Sequence, residues 1–222
     1  MQEISLNLTA IAVFLMTLSA FLLPILNVSP FIPAVATLGL LGLVTVDSFT
    51  WQGKGITLLL DRFAPLEYRQ RIIRHEAGHF LVACLLDIPI TGYSLSAWEA
   101  FKQGQPGLGG VQFDQEIIEQ RLKNPQELPL TLERLCTVQM AGIAAEKLLY
   151  GQAEGGESDR LAVRYTLKLA GIPEALHTQK ESWALLQAKN LIEQHRTSYE
   201  SLVKALENRD SLAECYNKVL KN

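Results

Sequence analysis

Three residue types that can do chemistry together fall in one short run, His75-Glu76-Ala77-Gly78-His79. On a helix, positions i and i+4 share a face, so both imidazoles can point at one ion. Glu76 can then reach a water bound to that ion and take its proton. Zinc is the expected metal, because two neutral imidazoles and a carboxylate suit a tetrahedral site with an open position for water. The bland alternative is a chance HExxH. It would leave two imidazoles and a carboxylate on or near an apolar helix, which is costly without hydrogen bonds or a metal. Only four histidines occur in the chain. His177 and His195 stand apart from the motif and are expected at the surface rather than as ligands.

The elements that must position these groups can be read from pattern. A helix is expected from Leu66 to Leu86, with Ile72, Ile73, Phe80, Leu81 and Cys84 as apolar flanks and Pro89 as the break. Ile90 to Ala97 and Gly110 to Phe113 read as two strands around a Gly/Gln loop, covering the motif helix or offering an edge to a substrate strand. A second long helix is expected from Pro129 to Tyr150. Its small residues Ala141, Gly142, Ala144 and Ala145 allow close packing against the motif helix. Glu146 in that stretch would either hydrogen-bond a ligand histidine or pair at the surface with Lys147 or an Arg. After the loop Gly151–Gly156, Glu157-Ser158-Asp159 begins a helix running to about Ala170. A carboxylate there is a natural third ligand, with Glu154 and Glu157 as rivals to Asp159 and a plain cap by Ser158 or Asp159 as the alternative. About Glu181 to Leu220 reads as two charged helices.

Across the chain of 222 residues, charge is nearly balanced at −3, which gives no reason to expect a nucleic-acid partner. Cys84, Cys136 and Cys215 have no paired spacing and read as small buried residues in a reducing compartment. The layout of charge is uneven: from Ile4 through Val46 there is no charged residue at all. Ile4–Leu26 and Phe31 to about Ser48 are two apolar runs joined at Asn27–Pro30. A bilayer core of about 30 Å needs about 20 helical residues, and both runs suffice, the second with little to spare. A transmembrane hairpin is therefore expected, rather than a cleaved signal peptide, because Met1-Gln2-Glu3 offers no positive start. Lys54, Arg62, Arg69, Arg71 and Arg74 follow the second run and the turn carries no cation, so both ends are expected on the cytoplasmic side or its organellar equivalent. Gly55 to Phe63 is a short amphipathic link, lying on the membrane or in the domain core.

The two-run anchor, the HEAGH run, the Met140-Ala141-Gly142-Ile143-Ala144-Ala145-Glu146-Lys147 stretch with Gly151 after it, and Gly156-Glu157-Ser158-Asp159 together resemble the peptidase domain of FtsH-type membrane zinc proteases. The likeness covers roughly Glu67 to Gly171. The family's second motif reads much like GGRAAEE, and its third zinc ligand is an Asp in a segment like GASNDL. The resemblance implies His75 and His79 as zinc ligands, Glu76 as the base and Asp159 as the third ligand. Aligned through Leu161, the family's Asp falls on Arg160; Asp159 takes the role with a one-residue shift, since Arg cannot ligate zinc. FtsH proteins carry an ATP-driven unfolding module between spans and peptidase, and this sequence has no phosphate loop of the GxxxxGKS or GxxxxGKT kind. In this it is similar to short FtsH-like proteins of cyanobacteria and plastids, as are the Ile90–Glu99 run and the Gly-Gln-Pro-Gly loop.

The resemblance implies a mainly α chain: a hairpin over residues 1–49, a linker or interfacial segment over 50–65, and a helical zincin-type peptidase domain with a small β-hairpin or sheet over 66–222. The implied activity is ATP-independent zinc endopeptidase action on unfolded or flexible membrane proteins, in a thylakoid or cytoplasmic membrane, as a homo-oligomer or with a partner ATPase. The alternative is a proteolytically inactive zinc-binding membrane scaffold or assembly factor.

Overall fold

The computed structural model describes residues 13–14, 16–19, 21–22, 29, 31–50, 65–104 and 109–220. The chain divides into two compact units, Met1–Leu60 and Asp61–Asn222. In the first, helix α1 spans Phe31–Thr50. Its described apolar side chains, among them Phe31, Ile32, Val35 and Leu38, are exposed. Among the described residues no helix is long and apolar enough to cross a membrane. The expected transmembrane hairpin therefore has no support in the described helices, and the run before α1 is described only in part. Most of the expected turn at Asn27–Pro30, and all of Gly55–Phe63, lie outside the described residues.

The second unit is mainly helical with one small antiparallel sheet. Its elements are α2 (Leu66–Leu85), β1 (Ile90–Ser94), α3 (Ala97–Lys102), β2 (Gly110–Phe113), α4 (Gln115–Lys123), α5 (Leu128–Gln139), α6 (Ala141–Tyr150) and α7 (Glu157–Leu169). A 3-10 turn at Glu174–Leu176 leads into α8 (His177–Gln194), α9 (Arg196–Glu207) and α10 (Leu212–Leu220). The motif helix α2 lies at the centre. Ala77, Phe80, Leu81, Val82 and Ala83 are fully buried on it and share a core with Ala141, Ala144 and Ala145 of α6 and Leu202 and Leu206 of α9. Burying one side chain such as Phe80 is worth about 1.5–3 kcal/mol. Leu132, Met140, Ile143, Val163, Leu167 and Ala184 form a second core that joins α5 and α6 to α7 and α8.

Four expectations are corrected. The stretch Pro129–Tyr150 is two helices, broken at Met140, which leaves helical geometry at φ −89° and ψ −3°. Ile90–Ala97 is a strand only as far as Ser94; Ser96 then caps α3, its side chain accepting from the Glu99 N–H. The carboxy-terminal part holds three helices, because the Asn208–Asp210 turn, with Arg209 at φ +60°, separates α9 from α10. His177 is buried rather than at the surface, its Nε2 lying 2.9 Å from the Ile172 carbonyl. The two expected strands do pair, antiparallel, with Val111 opposite Tyr93 and an irregularity between Ile90 and Gly92. They are tied to α10 by the Ile90 N–H, which donates to the Tyr216 hydroxyl at 3.1 Å.

Candidate metal centre

Helix α2 presents His75 and His79 one turn apart, as their spacing requires. Their Nε2 atoms stand 3.1 Å from each other. Helix α7 brings Asp159 to the same point, with Oδ2 at 3.1 Å from His75 Nε2 and 3.5 Å from His79 Nε2. These three side chains are the group among the described residues that can hold a metal ion. Two ligand atoms each about 2.0–2.1 Å from one tetrahedral ion stand about 3.3 Å apart. The three observed separations bracket that value. Asp159 Oδ2 is buried and receives no hydrogen bond, which costs free energy unless a cation balances it. The donor set and its spacing therefore fit a metal. His75 and Asp159 keep 13% and 16% of their side-chain surface exposed, so a fourth position can open to water.

Hydrogen bonds to the outer ring nitrogens fix how the imidazoles face. His79 Nδ1 lies 2.7 Å from the Val138 carbonyl, which can only accept. Nδ1 therefore carries a proton, and Nε2 is the nitrogen turned toward His75 and Asp159. Val138 lies in the last turn of α5, two residues before the break at Met140. His75 Nδ1 lies 2.7 Å from Glu146 Oε1, and Glu146 is 3% exposed. Of the two readings of Glu146, the hydrogen bond to a histidine of the group is the one observed, and an Arg pairs with it as well: Arg71 Nε donates to its other oxygen at 2.5 Å.

Electrostatics follow from this enclosure. Burial opposes charge on Glu146, but hydrogen bonds from His75 and Arg71 outweigh it and hold the carboxyl down to about 2. Burial likewise opposes charge on His75, yet the close Asp159 carboxylate and the Glu146 contact push it up to about 10 in the metal-free site. His79 is raised for the same reason, against its own burial, by the Asp159 charge. Asp159 is lowered: burial opposes this, and the nearby His79 and His75 charges prevail. A metal ion and these protons compete for the same lone pairs.

Glycines make the geometry possible at two places. A Cβ on Gly142 would land on the His75 ring. A Cβ on Gly78 would sit 2.6 Å from the Ala141 carbonyl oxygen, so α2 and α6 approach closely only because Gly78 has none. Glu76 is half-buried beside the histidines, and its Oε2 accepts from the Val111 N–H of β2 at 2.9 Å. That bond links the expected base to the strand pair.

The rival carboxylates fall elsewhere. Glu157 is exposed, and Glu154 pairs with Arg71 at 2.6 Å. Asp159 does not cap its helix: Gly156 occupies the N-cap with φ +90° and no side-chain cap bond forms. Asp159 instead lies in the first turn, where the helix dipole favours a carboxylate. Arg160 turns away to contact Glu181 of α8. His177 and His195 take no part in the group. Burial pushes the Cys84 thiol up to about 12 and Cys136 and Cys215 up to about 11, so none is poised as a nucleophile. Sequence reasoning missed Arg71 and the Val138 carbonyl. Arg71 left a signal, since it precedes His75 by four positions on the same helix face. A backbone acceptor leaves none. No protein-family model and no curated protein matches the chain.

Proposed function

We propose that the chain is a membrane-anchored, zinc-dependent endopeptidase of the FtsH-like kind, working on flexible or unfolded protein segments without an ATPase of its own. The observation that carries this reading is the convergence of His75 Nε2, His79 Nε2 and Asp159 Oδ2, with Glu76 one residue along. His75, His79 and Asp159 would hold the ion. When bound, zinc supplies a Lewis acid that polarises a peptide carbonyl and acidifies a water. Glu76 would accept a proton from the attacking water as its oxygen bonds to the carbonyl carbon, and would hand it to the amine nitrogen as the C–N bond breaks. The Val111 N–H holds Glu76 Oε2 and fixes the direction of its carboxylate. Glu146 and the Val138 carbonyl keep the lone pairs of both imidazoles turned to the same point.

Membrane anchoring rests on the uncharged run from Ile4 through Val46 and on the exposed apolar side chains of α1. Such a surface needs cover, and lipid is the cover that asks for no specific partner. The peptidase unit would face the cytoplasm or stroma, as a homo-oligomer or beside a partner ATPase that delivers folded substrates.

The test joins metal content to cleavage. The protein is purified in detergent, zinc per chain is counted, and an unfolded casein-like substrate is incubated with wild type and Glu76→Gln. One zinc in both proteins, with cleavage by the wild type alone, is the expected result. Cleavage by Glu76→Gln at the wild-type rate would sink the mechanism. One zinc without cleavage by either would favour the scaffold role instead, and no zinc would remove the metal altogether. Membrane anchoring is checked separately: the protein should stay with membranes through alkaline carbonate washing, and release into the wash would count against it.

A further inference from the structure

The two helices that carry the donors come from distant parts of the chain and need something to register them. The obvious link is the donor group itself, but a second one stands behind it. Arg71 lies one helical turn before His75 and is mostly buried, with 16% of its side chain exposed. Its Nε donates to Glu146 Oε2 at 2.5 Å. Its Nη2 donates to the Gln152 carbonyl at 2.8 Å, and its Nη1 stands 2.6 Å from Glu154 Oε1. The guanidinium carbon lies 4.7 Å from the centroid of the Tyr150 ring, which backs it. Glu146 Oε2 also accepts from the Glu154 N–H at 3.0 Å, while Glu146 Oε1 meets His75 Nδ1. Close behind, a Cβ on Gly155 would stand 3.3 Å from Glu146 Oε1, so the loop runs tight against this carboxylate.

We propose that Arg71 is a positioning residue of the metal centre. Its guanidinium fork clamps Glu146, and through it His75, to the Gln152–Glu154 segment that leads into Asp159. One side chain thus sets the facing of one donor and the entry of another. The inference rests on the metal reading above and adds to it how the third donor is registered on the first. Arg is suited to the task and Lys is not. A guanidinium offers fixed N–H directions to three acceptors at once, whereas an ammonium is a point charge on a flexible stem. Arg74 on the same helix makes the contrast: its guanidinium pairs with Glu200 of α9 at 3.3 Å.

The experiment measures zinc dissociation constants by chelator competition in the full chain, for wild type, Arg71→Ala, Arg71→Lys, Arg74→Ala and Glu146→Gln, with thermal melts alongside. Loss of an outer partner of a metal ligand weakens binding roughly 10–100-fold. Arg71→Ala is expected in that range, Arg71→Lys between it and wild type, and Arg74→Ala within about twofold of wild type. Combining Arg71→Ala with Glu146→Gln should weaken binding by much less than the product of the two single effects, because both act through one carboxylate. The cobalt-substituted proteins supply a signature that a purely structural role would not move: the visible bands of Arg71→Ala and Arg71→Lys should shift, and those of Arg74→Ala should not. Should Arg71→Ala fail to fold, Arg71→Lys decides. Wild-type affinity and wild-type cobalt bands in Arg71→Lys and, if folded, Arg71→Ala, in a protein that does bind one ion, would overturn this inference alone. A wild-type chain that binds no ion would overturn the metal reading and this inference with it.

Discussion

A methyl group at position 142 would land on the His75 imidazole, which has no room to retreat because its far side is held by Glu146. Gly142→Ala must therefore turn the ring or push α6 away from α2. Either movement takes Nε2 off the point shared with His79 and Asp159. The expected result is a loss of zinc affinity of roughly 10–100-fold, comparable to losing an outer partner, with an overpacking cost of about 1–3 kcal/mol. Metal titration of Gly142→Ala checks it; wild-type affinity in a folded variant would show that the ring has another way to face the site. His79→Ala deletes a donor and should abolish stoichiometric zinc, read as metal per chain. Asp159→Ala should do nearly the same, and full retention of zinc in it would move the third donor to another carboxylate. The identity of the third donor was legible only through a motif likeness with a one-residue shift. The geometry removes the need for that shift as an argument, since Asp159 faces the histidines and Arg160 faces Glu181.

At the scale of elements, the centre depends on how closely α2 and α6 approach. Gly78 is the contact point, with the Ala141 carbonyl oxygen and the Ala145 Cβ at 2.6 and 2.9 Å from where a Cβ would stand. A backbone carbonyl cannot rotate away as a side chain can. Gly78→Ala is therefore expected to destabilise the unit by about 1–3 kcal/mol, which for a domain of this size lowers the melting temperature by roughly 2–4 °C per kcal/mol. A circular-dichroism melt measures it, and an unchanged midpoint would mean the helices can part at no cost. The helices that meet at this point were legible because their small and apolar residues recur at helical spacing. The break at Met140 was not, because no Pro marks it and Gly142 alone does not stop a helix. Helix α3 carried a signal that was passed over: Ser96 precedes Glu99 by three, the spacing of a capping box, and Glu99 Oε2 does reach back, to the Leu95 N–H at 2.7 Å. The last three helices read as two because Asn208–Asp210 lacks Gly and Pro, while Arg209 takes the left-handed conformation that usually advertises itself by a Gly.

In the molecule as a whole, a bound ion would tie residues 75 and 79 to residue 159, closing a long stretch of chain that the unfolded state leaves open. An ion that binds only the folded chain adds about 4.1 kcal/mol when its free concentration is about a thousand times its dissociation constant. At roughly 2–4 °C per kcal/mol, zinc should raise the melting temperature of the second unit by roughly 8–16 °C over the chelated protein. The size of that rise should depend on pH in one direction. In the metal-free site His75 is raised from 6.5 to about 10, so the folded chain holds a proton there that the unfolded chain releases. Stability from that proton is fully present below about pH 6.5 and is lost as pH climbs toward about 10. The chelated protein should therefore melt lower at pH 9 than at pH 7. The same proton must leave His75 before Nε2 can ligate, so metal affinity rises over the same window. These are two views of one proton, and through it the gap between loaded and chelated protein widens as pH increases. Melting curves at pH 7, 8 and 9, with zinc and with chelator, measure the gap directly. A gap that stays constant or narrows would mean that His75 does not carry its raised proton in the free site, and that the Glu146–His75–Asp159 chain is not the charged arrangement its distances describe.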